Sequence, residues 1–351
     1  MKIGIITIPD FNNYGNRLQN YALQYVLEDM HCSVVSYVPY KPNIIKKTIK
    51  ILLSEKKNLI VKIQDILRLS NFMKFDRKFV HTKQIGNTEY PKSLNNECDI
   101  FIAGSDQIWN PIWYTKYSLL QFSYDEKKIA YAASFGCDDL PQEKLSVYEE
   151  YLPKFKAIGV REETGKSIVK KIANQAATIV LDPTMLLTRE QWRIVEYRVK
   201  LPCNEKKYIL TYFLGGVNEE YESVIKQSSI RYNLEVINLN DRKQNKIYEC
   251  GPSEFVYLID NAALVLTDSF HACVFSIIFH CPFLAFDRLG KGKSMGNRID
   301  TLLNITNMTL NKYGLKEIDE ILDVDFSKVD QIIKNQMQSS FDFLIMAMKD
   351  R

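Results

Sequence analysis

The run TDSFHA, Thr267 to Ala272, places a carboxylate, two hydroxyls and an imidazole directly after the apolar stretch AALVL. If that stretch is a strand and a helix follows over 269–279, Ser269 or Asp268 caps the helix and His271 falls in its first turn. There the imidazole stands beside orphan backbone amides and the positive end of the helix dipole. Such a place favours a bound anion and lets a histidine donate or accept a proton near neutral pH. A second run, GSDQIWNP, follows the apolar stretch 99–103. Gly104 permits close backbone approach, and Ser105, Asp106, Gln107 and Asn110 supply hydrogen-bonding groups. Trp109 adds a flat apolar face. A carboxylate, amides and an indole in one short run are what a sugar site uses, with Asp106 accepting a hydroxyl proton and Trp109 stacking on the ring. The alternative is a core Trp109 and an Asp106 that caps a turn.

Three further runs carry weaker signals. Arg161 is the first charge after AIGV. Its guanidinium can clamp a carboxylate or phosphate in two parallel hydrogen bonds, or pair with Glu162 or another neighbour. In PDFNNYGNRLQNYAL, residues Asn12, Asn13 and Gly15 suit a tight turn, and Asn16 suits the start of a helix whose amides favour an anion; plain turn chemistry is the alternative. The loop LGKGKSMGNR, 289–298, offers Lys291, Lys293 and Arg298 to a phosphate or to solvent. SFG (134–136) reads as a small-residue crossing, and Asp182-Pro183-Thr184 as a rigid turn with a capping side chain.

Every one of the clusters named, apart from the basic loop, follows a short apolar stretch, and ligands of open α/β sheets bind beyond the carboxyl ends of the strands. Strands are expected at 2–8, 33–38, 99–103, 128–133, 157–160 and 178–181, then at 208–213, 234–239, 263–267 and 282–286. Helical periodicity lies between them at 16–29, 142–156, 163–173, 219–231, 253–261, 269–279 and 328–347. This alternation predicts an α/β protein with two Rossmann-like parallel sheets. The division expected is a domain over 1–190, a link over 185–206 containing Pro202, a second domain over 206–327, and a C-terminal helix, 328–351, packing back.

With 351 residues, 46 % of them hydrophobic and 25 % charged, the chain has the composition of a globular protein with sizeable cores, and two domains fit a usual size of roughly 100–200 residues. No apolar run approaches the roughly 18 residues of a membrane span, and the N-terminus lacks the pattern of a signal peptide. Seven scattered cysteines without a CxxC pair predict thiols in a reducing, cytoplasmic setting. His271, Cys273, His280 and Cys281 do not predict zinc: on a helix His271 and His280 point to opposite faces, and Cys273 and His280 lie about 10 Å apart along the axis. The phosphate-loop, hydrolase-elbow and dinucleotide signatures are absent.

Net charge is +4, yet residues 41–78 carry 11 Lys/Arg against Glu55, Asp65 and Asp76, a local +8. Leu59, Ile60, Ile63, Ile66 and Leu67 recur there at helical spacing. The segment is either a solvated helix packed on its domain or a surface for an anionic partner such as a lipid headgroup or diphosphate, peripheral on the inner face of a membrane. Nucleic acid is not expected, because no binding motif accompanies the charge.

Taken together, NYGNRLQNYAL (13–23), FIAGSDQIWNP (101–111), YAASFG (131–136), VREE (160–163), LDPT (181–184) and TDSFHACVFSIIF (267–279) resemble the polysaccharide pyruvyl transferase family in order and spacing. The resemblance implies a two-domain fold like the GT-B glycosyltransferases, with the site in the interdomain cleft. It implies transfer of the pyruvyl group of phosphoenolpyruvate to two sugar hydroxyls, giving a cyclic ketal, with no cofactor beyond that co-substrate. Expected roles are His271 and Asp106 as the proton-transfer pair. Arg161, Ser269, Asn16, Lys291, Lys293 and Arg298 are expected on the donor, and Ser105, Gln107, Trp109 and Asn110 on a sugar or lipid-linked oligosaccharide acceptor. Some relatives carry arginine where Phe270 stands, so one cation expected on phosphoenolpyruvate is either missing or supplied from elsewhere, by Lys291, Lys293 or Arg298. The competing readings are a nucleotide-sugar glycosyltransferase and a non-catalytic carbohydrate binder on the same fold.

Overall fold

A computed structural model describes residues 1–39, 44–54, 58–86, 90–201, 208–290, 296–315 and 317–349. The chain forms two compact units, one of residues 1–43, 76–187 and 333–351, the other of residues 44–75 and 188–332. Unit 1 holds a seven-stranded sheet built from β1 (Lys2–Ile6), β2 (Ser33–Val38), β3 (Thr82–Gln84), β4 (Ile100–Asp106), β5 (Lys128–Ala133), β6 (Ala157–Val160) and β7 (Thr178–Ile179), in the order β3-β2-β1-β4-β5-β6-β7. Unit 2 holds β8 (Tyr208–Tyr212), β9 (Glu235–Asn238), β10 (Leu264–Thr267) and β11 (Phe283–Ala285), in the order β11-β10-β8-β9. Every pairing between named strands is parallel. The α/β class with two parallel sheets, expected from the alternation, is what the chain forms.

Both cores follow from strands buried on two faces. In unit 1, Phe101 and Ala103 of β4 and Ala130 and Ala133 of β5 pack with Trp109, Phe135, Tyr148 and Val160. In unit 2, Ile209, Leu264, Leu266 and Leu284 pack with Phe213, Tyr221 and Phe286. The expected strands form; β3 is the addition, a polar edge strand (TKQ) whose side chains are mostly exposed and so carry no apolar signature.

The domain boundaries differ from the sequence reading in two places. Residues 44–75 group with unit 2 instead of the N-terminal domain, and the last helix, Phe326–Met348, is divided, its residues from 333 onward belonging to unit 1. Helical spacing records that a face is apolar but not which body covers it. In unit 1 the last helix sets Phe343 against Gly159, where a Cβ would press on the ring at 3.0 Å, and Ser340 Oγ accepts the amide of Leu181 at 3.0 Å. The boundary between the units at 187/188 falls inside the expected link, whose residues 202–207, with Pro202, lie outside the described residues.

Candidate functional site

Unit 1 gathers its polar residues beyond β1, β4, β6 and β7. Helix α1 (Tyr14–Asp29) starts two residues before the expected Asn16: Asn13 is the cap, its side chain accepting the Asn16 amide at 3.2 Å. Asn16 is therefore inside the first turn, buried, and its side-chain amide donates to Asp106 at 3.3 Å. Its oxygen is held by Arg17 at 2.7 Å, and Arg17 in turn pairs with Asp76 at 3.0 Å. Gly104 has no room for a side chain, since a Cβ would meet the Tyr131 carbonyl at 2.4 Å. Asp106 takes a left-handed φ of 58°, which aspartate tolerates better than most residues.

Arg161 lies at the centre of this cluster. Its Nη1 donates to Asp182 at 2.6 Å and its Nη2 to Asp106 at 3.3 Å, with the side chain 2 % exposed. Burial pulls the guanidinium toward neutrality, but the charges of Asp182, Asp106 and Glu162 outweigh it and hold it above the usual arginine range. The expected clamp on phosphoenolpyruvate is thus corrected: the fork is occupied by two carboxylates of the chain itself. Asp182 does more than cap. It holds Arg161 with one oxygen, and the Thr184 amide (3.0 Å) and hydroxyl (2.7 Å) with the other.

The rest of the GSDQIWN run is inward-facing. Ser105 donates to the Ala132 carbonyl at 3.0 Å, and its amide is bound by Gln19. Asn110 donates to Gln107 at 2.7 Å, and both lie where a side chain on Gly136 would have to go. Trp109 is fully buried against Phe135 and Phe155, and its indole N–H donates to the Ser118 carbonyl at 3.0 Å. The expected stacking of Trp109 on a sugar is overturned, because a ring without exposed surface cannot meet a ligand. Four residues on, Trp113 has 45 % of its surface exposed and is anchored by its indole N–H to the Gln107 carbonyl at 3.2 Å. The sequence reading missed it; the signal was the second tryptophan in WNPIWY, past the proline that ends the buried run.

In unit 2, Ser269 caps the helix Phe270–Ile278, its hydroxyl accepting the Ala272 amide at 3.5 Å, and His271 sits in the first turn, 7 % exposed. Asp268, the other candidate cap, instead accepts the amides of Leu214 (2.6 Å) and Gly215 (2.7 Å). Burial raises its carboxyl above the usual range, against the pull of those amides and of Arg288. Gly215 is required there, since a Cβ would lie 2.6 Å from the Arg288 side chain. Two arginines stand by this helix start. Arg288 donates to the Asp268 carbonyl at 3.2 Å, and the guanidinium of Arg298 lies 5.9 Å from the centre of the Phe270 ring. Of the three cations expected to replace the arginine missing at Phe270, Arg298 is at that ring; Lys291 and Lys293 lie outside the described residues. Arg288, one residue before the loop singled out in the sequence, was not foreseen. Cys273 and Cys281 are buried, and the His280 ring is bonded to Asp330 at 2.7 Å.

Two parallel α/β units, each with a polar cluster beyond its strand ends, define the class of protein. The family model of Polysaccharide pyruvyl transferase matches residues 13–289, and the chain belongs to that family. Comparison with curated protein sequences gives no significant match. Among solved structures, the chain is similar to a UDP-GlcNAc 2-epimerase from Neisseria meningitidis (11 % identity, 99 % of this chain and 100 % of that one covered, TM-score 0.46). It is similar also to a putative UDP-N-acetylglucosamine 2-epimerase from Listeria monocytogenes (12 %, 100 % and 98 %, 0.44) and to MurG from Acinetobacter baumannii (8 %, 99 % and 99 %, 0.41).

Proposed function

We propose that the protein transfers the pyruvyl group of phosphoenolpyruvate to two hydroxyls of a sugar in a surface-polysaccharide precursor, free or lipid-linked. The observation that carries this reading is the helix start at Ser269–His271, with Arg288 and Arg298 beside it, in a chain of the pyruvyl transferase family. Phosphoenolpyruvate brings a carboxylate and a phosphate. Helix-start amides and guanidinium groups bind such anions, so unit 2 takes the donor.

The reaction is redox-neutral and needs only proton transfers. A proton adds to the methylene carbon, leaving positive character on the central carbon. One hydroxyl adds there and loses its proton. The bond from the central carbon to the phosphate oxygen breaks, and phosphate leaves with a proton from His271. The second hydroxyl adds and loses its proton, closing the ketal. The two hydroxyl protons balance the one gained by the new methyl group and the one carried off by phosphate. Unit 1 takes the acceptor: Trp113 offers the stacking face that Trp109 does not, and Asp106 accepts a hydroxyl proton while Asn16 and Arg161 fix its orientation. Arg161 is then a positioning residue.

The test is to incubate the protein with phosphoenolpyruvate and a panel of sugar acceptors, following phosphate release and product mass. A product heavier than the acceptor by a ketal-linked pyruvyl group is expected, together with thermal stabilisation by phosphoenolpyruvate. Stabilisation by nucleotide sugars alone, with no phosphate released, would replace this reading by a glycosyltransferase.

A further inference from the structure

Helices α2 (Ile44–Leu52) and α3 (Leu59–Phe79) carry the basic stretch of the sequence. The first half of α3 has its polarity reversed. Its polar side chains turn inward within unit 2: Gln64 donates to the Arg242 carbonyl (2.7 Å) and to Asn245 (2.6 Å), Asp65 accepts from Arg242 (2.8 Å), Arg68 donates to the Tyr248 carbonyl (2.7 Å), and Asn71 to the Glu249 carbonyl (2.8 Å). Four of its apolar side chains turn outward, while Val61 and Ile66 are half-buried and Leu69 is buried. Leu59 and Ile60 are 68 % and 63 % exposed, and Ile63 and Leu67 are exposed as well, following one face at helical spacing. The end of α2 continues the patch with Ile49, Leu52 and Leu53, the last 74 % exposed. Lys62 joins the two by donating to the Leu52 carbonyl at 2.6 Å. The expected packing of Leu59, Ile60, Ile63 and Leu67 on the domain does not occur; among the apolar residues named there, Ile66 alone is half-buried.

We infer that this face docks on an anionic lipid bilayer, independently of the reaction catalysed. Contiguous exposed apolar patches mark interaction sites, and the charge selects the occupant. Among the described side chains of residues 48–63 the charged ones are Lys50 and Lys62, with no acidic residue. Self-association through a shared face would set lysine against lysine, whereas a leaflet of acidic phospholipid receives the apolar side chains at the headgroup boundary and balances the lysines. Among the described residues no helix is long and apolar enough to cross a membrane, so the contact is one of lying on the surface.

The experiment is co-sedimentation of the full chain with phosphatidylcholine vesicles, with and without phosphatidylglycerol. Binding is expected only with phosphatidylglycerol, and it should fall as salt is added. Ile60→Ser with Leu67→Ser should weaken it by more than about tenfold, and Lys50→Ala by about fivefold, with unchanged melting temperatures because both sites are exposed. No binding at low salt, equal binding to neutral vesicles, or unchanged binding by the apolar variant would each overturn the inference. So would a concentration-dependent dimer abolished by Ile60→Ser with Leu67→Ser, which would assign the face to a second copy.

Discussion

Asp106 in unit 1 and Asp268 in unit 2 both end a run that begins in a parallel strand, and both look like site carboxylates in the sequence. Asp106 is held by side chains: the Asn16 amide and the Arg161 guanidinium, which also serves Asp182. Asp268 is held by backbone, the amides of Leu214 and Gly215, with Arg288 nearby. In unit 1 a single guanidinium is spent between two carboxylates of the protein. In unit 2 the carboxylate fixes two loops, and a capped helix start with two arginines lies next to it. A charge at a strand end is therefore not by itself a ligand contact; the partners that reach it decide.

The strongest way to break this contrast is to remove one central group from each unit. His271→Ala should lose about 10²–10⁴ in turnover, the usual worth of a positioned acid or base, while its melting temperature stays close to that of the parent protein. Arg161→Met should lose turnover too, since Asp106 is then no longer held by it, but unlike His271→Ala it should also lose stability. It leaves Asp106 and Asp182 buried without their shared cation, a loss of about 3–5 kcal/mol in stability, readable by denaturant titration. A His271→Ala protein that melts early but turns over normally would make His271 a core residue and erase the contrast.

The two tryptophans of the WNPIWY run sharpen it within unit 1. Trp109→Ala should cost about 3–5 kcal/mol of stability, because it empties a closed core position. Trp113→Ala should change stability by less than about 0.5 kcal/mol and raise the KM for the sugar acceptor, leaving that for phosphoenolpyruvate unchanged. Equal KM values for the acceptor in parent and variant would remove Trp113 from the site.

The smallest effect separates these carboxylates from one that belongs to no proposed site. Burial and the neighbouring Asp260 push the Glu196 carboxyl up to about 7, with Arg193 opposing. The folded protein then keeps a proton that the unfolded chain releases in the ordinary carboxylate range. Stability should fall as pH rises from that range to about 7 and level off above it. Glu196→Gln should flatten this part of the profile and exceed the parent in melting temperature above pH 7. An unchanged slope in the variant would assign the titration to another group.

What the sequence determined by itself were properties that depend on neighbours along the chain. β-branched and apolar runs became strands because parallel strands bury both faces. The cap at Ser269 and the first-turn place of His271 follow from a hydroxyl set just before a helix, and the close approach at Gly104 from the missing side chain. What only the tertiary structure decided were questions of partnership between distant residues. Arg161 is paired with Asp106 and Asp182, 55 and 21 residues away in sequence, and spacing cannot show that a guanidinium already has partners. Trp109 and Trp113 share a type and a neighbourhood, yet one closes a core and the other meets solvent, because burial depends on what packs from outside the run. The same holds for α3. Its periodicity showed an apolar face and a polar one, but it was Arg242, Asn245 and Tyr248, far along the chain, that drew the polar face inward and left Leu59, Ile60, Ile63 and Leu67 outside.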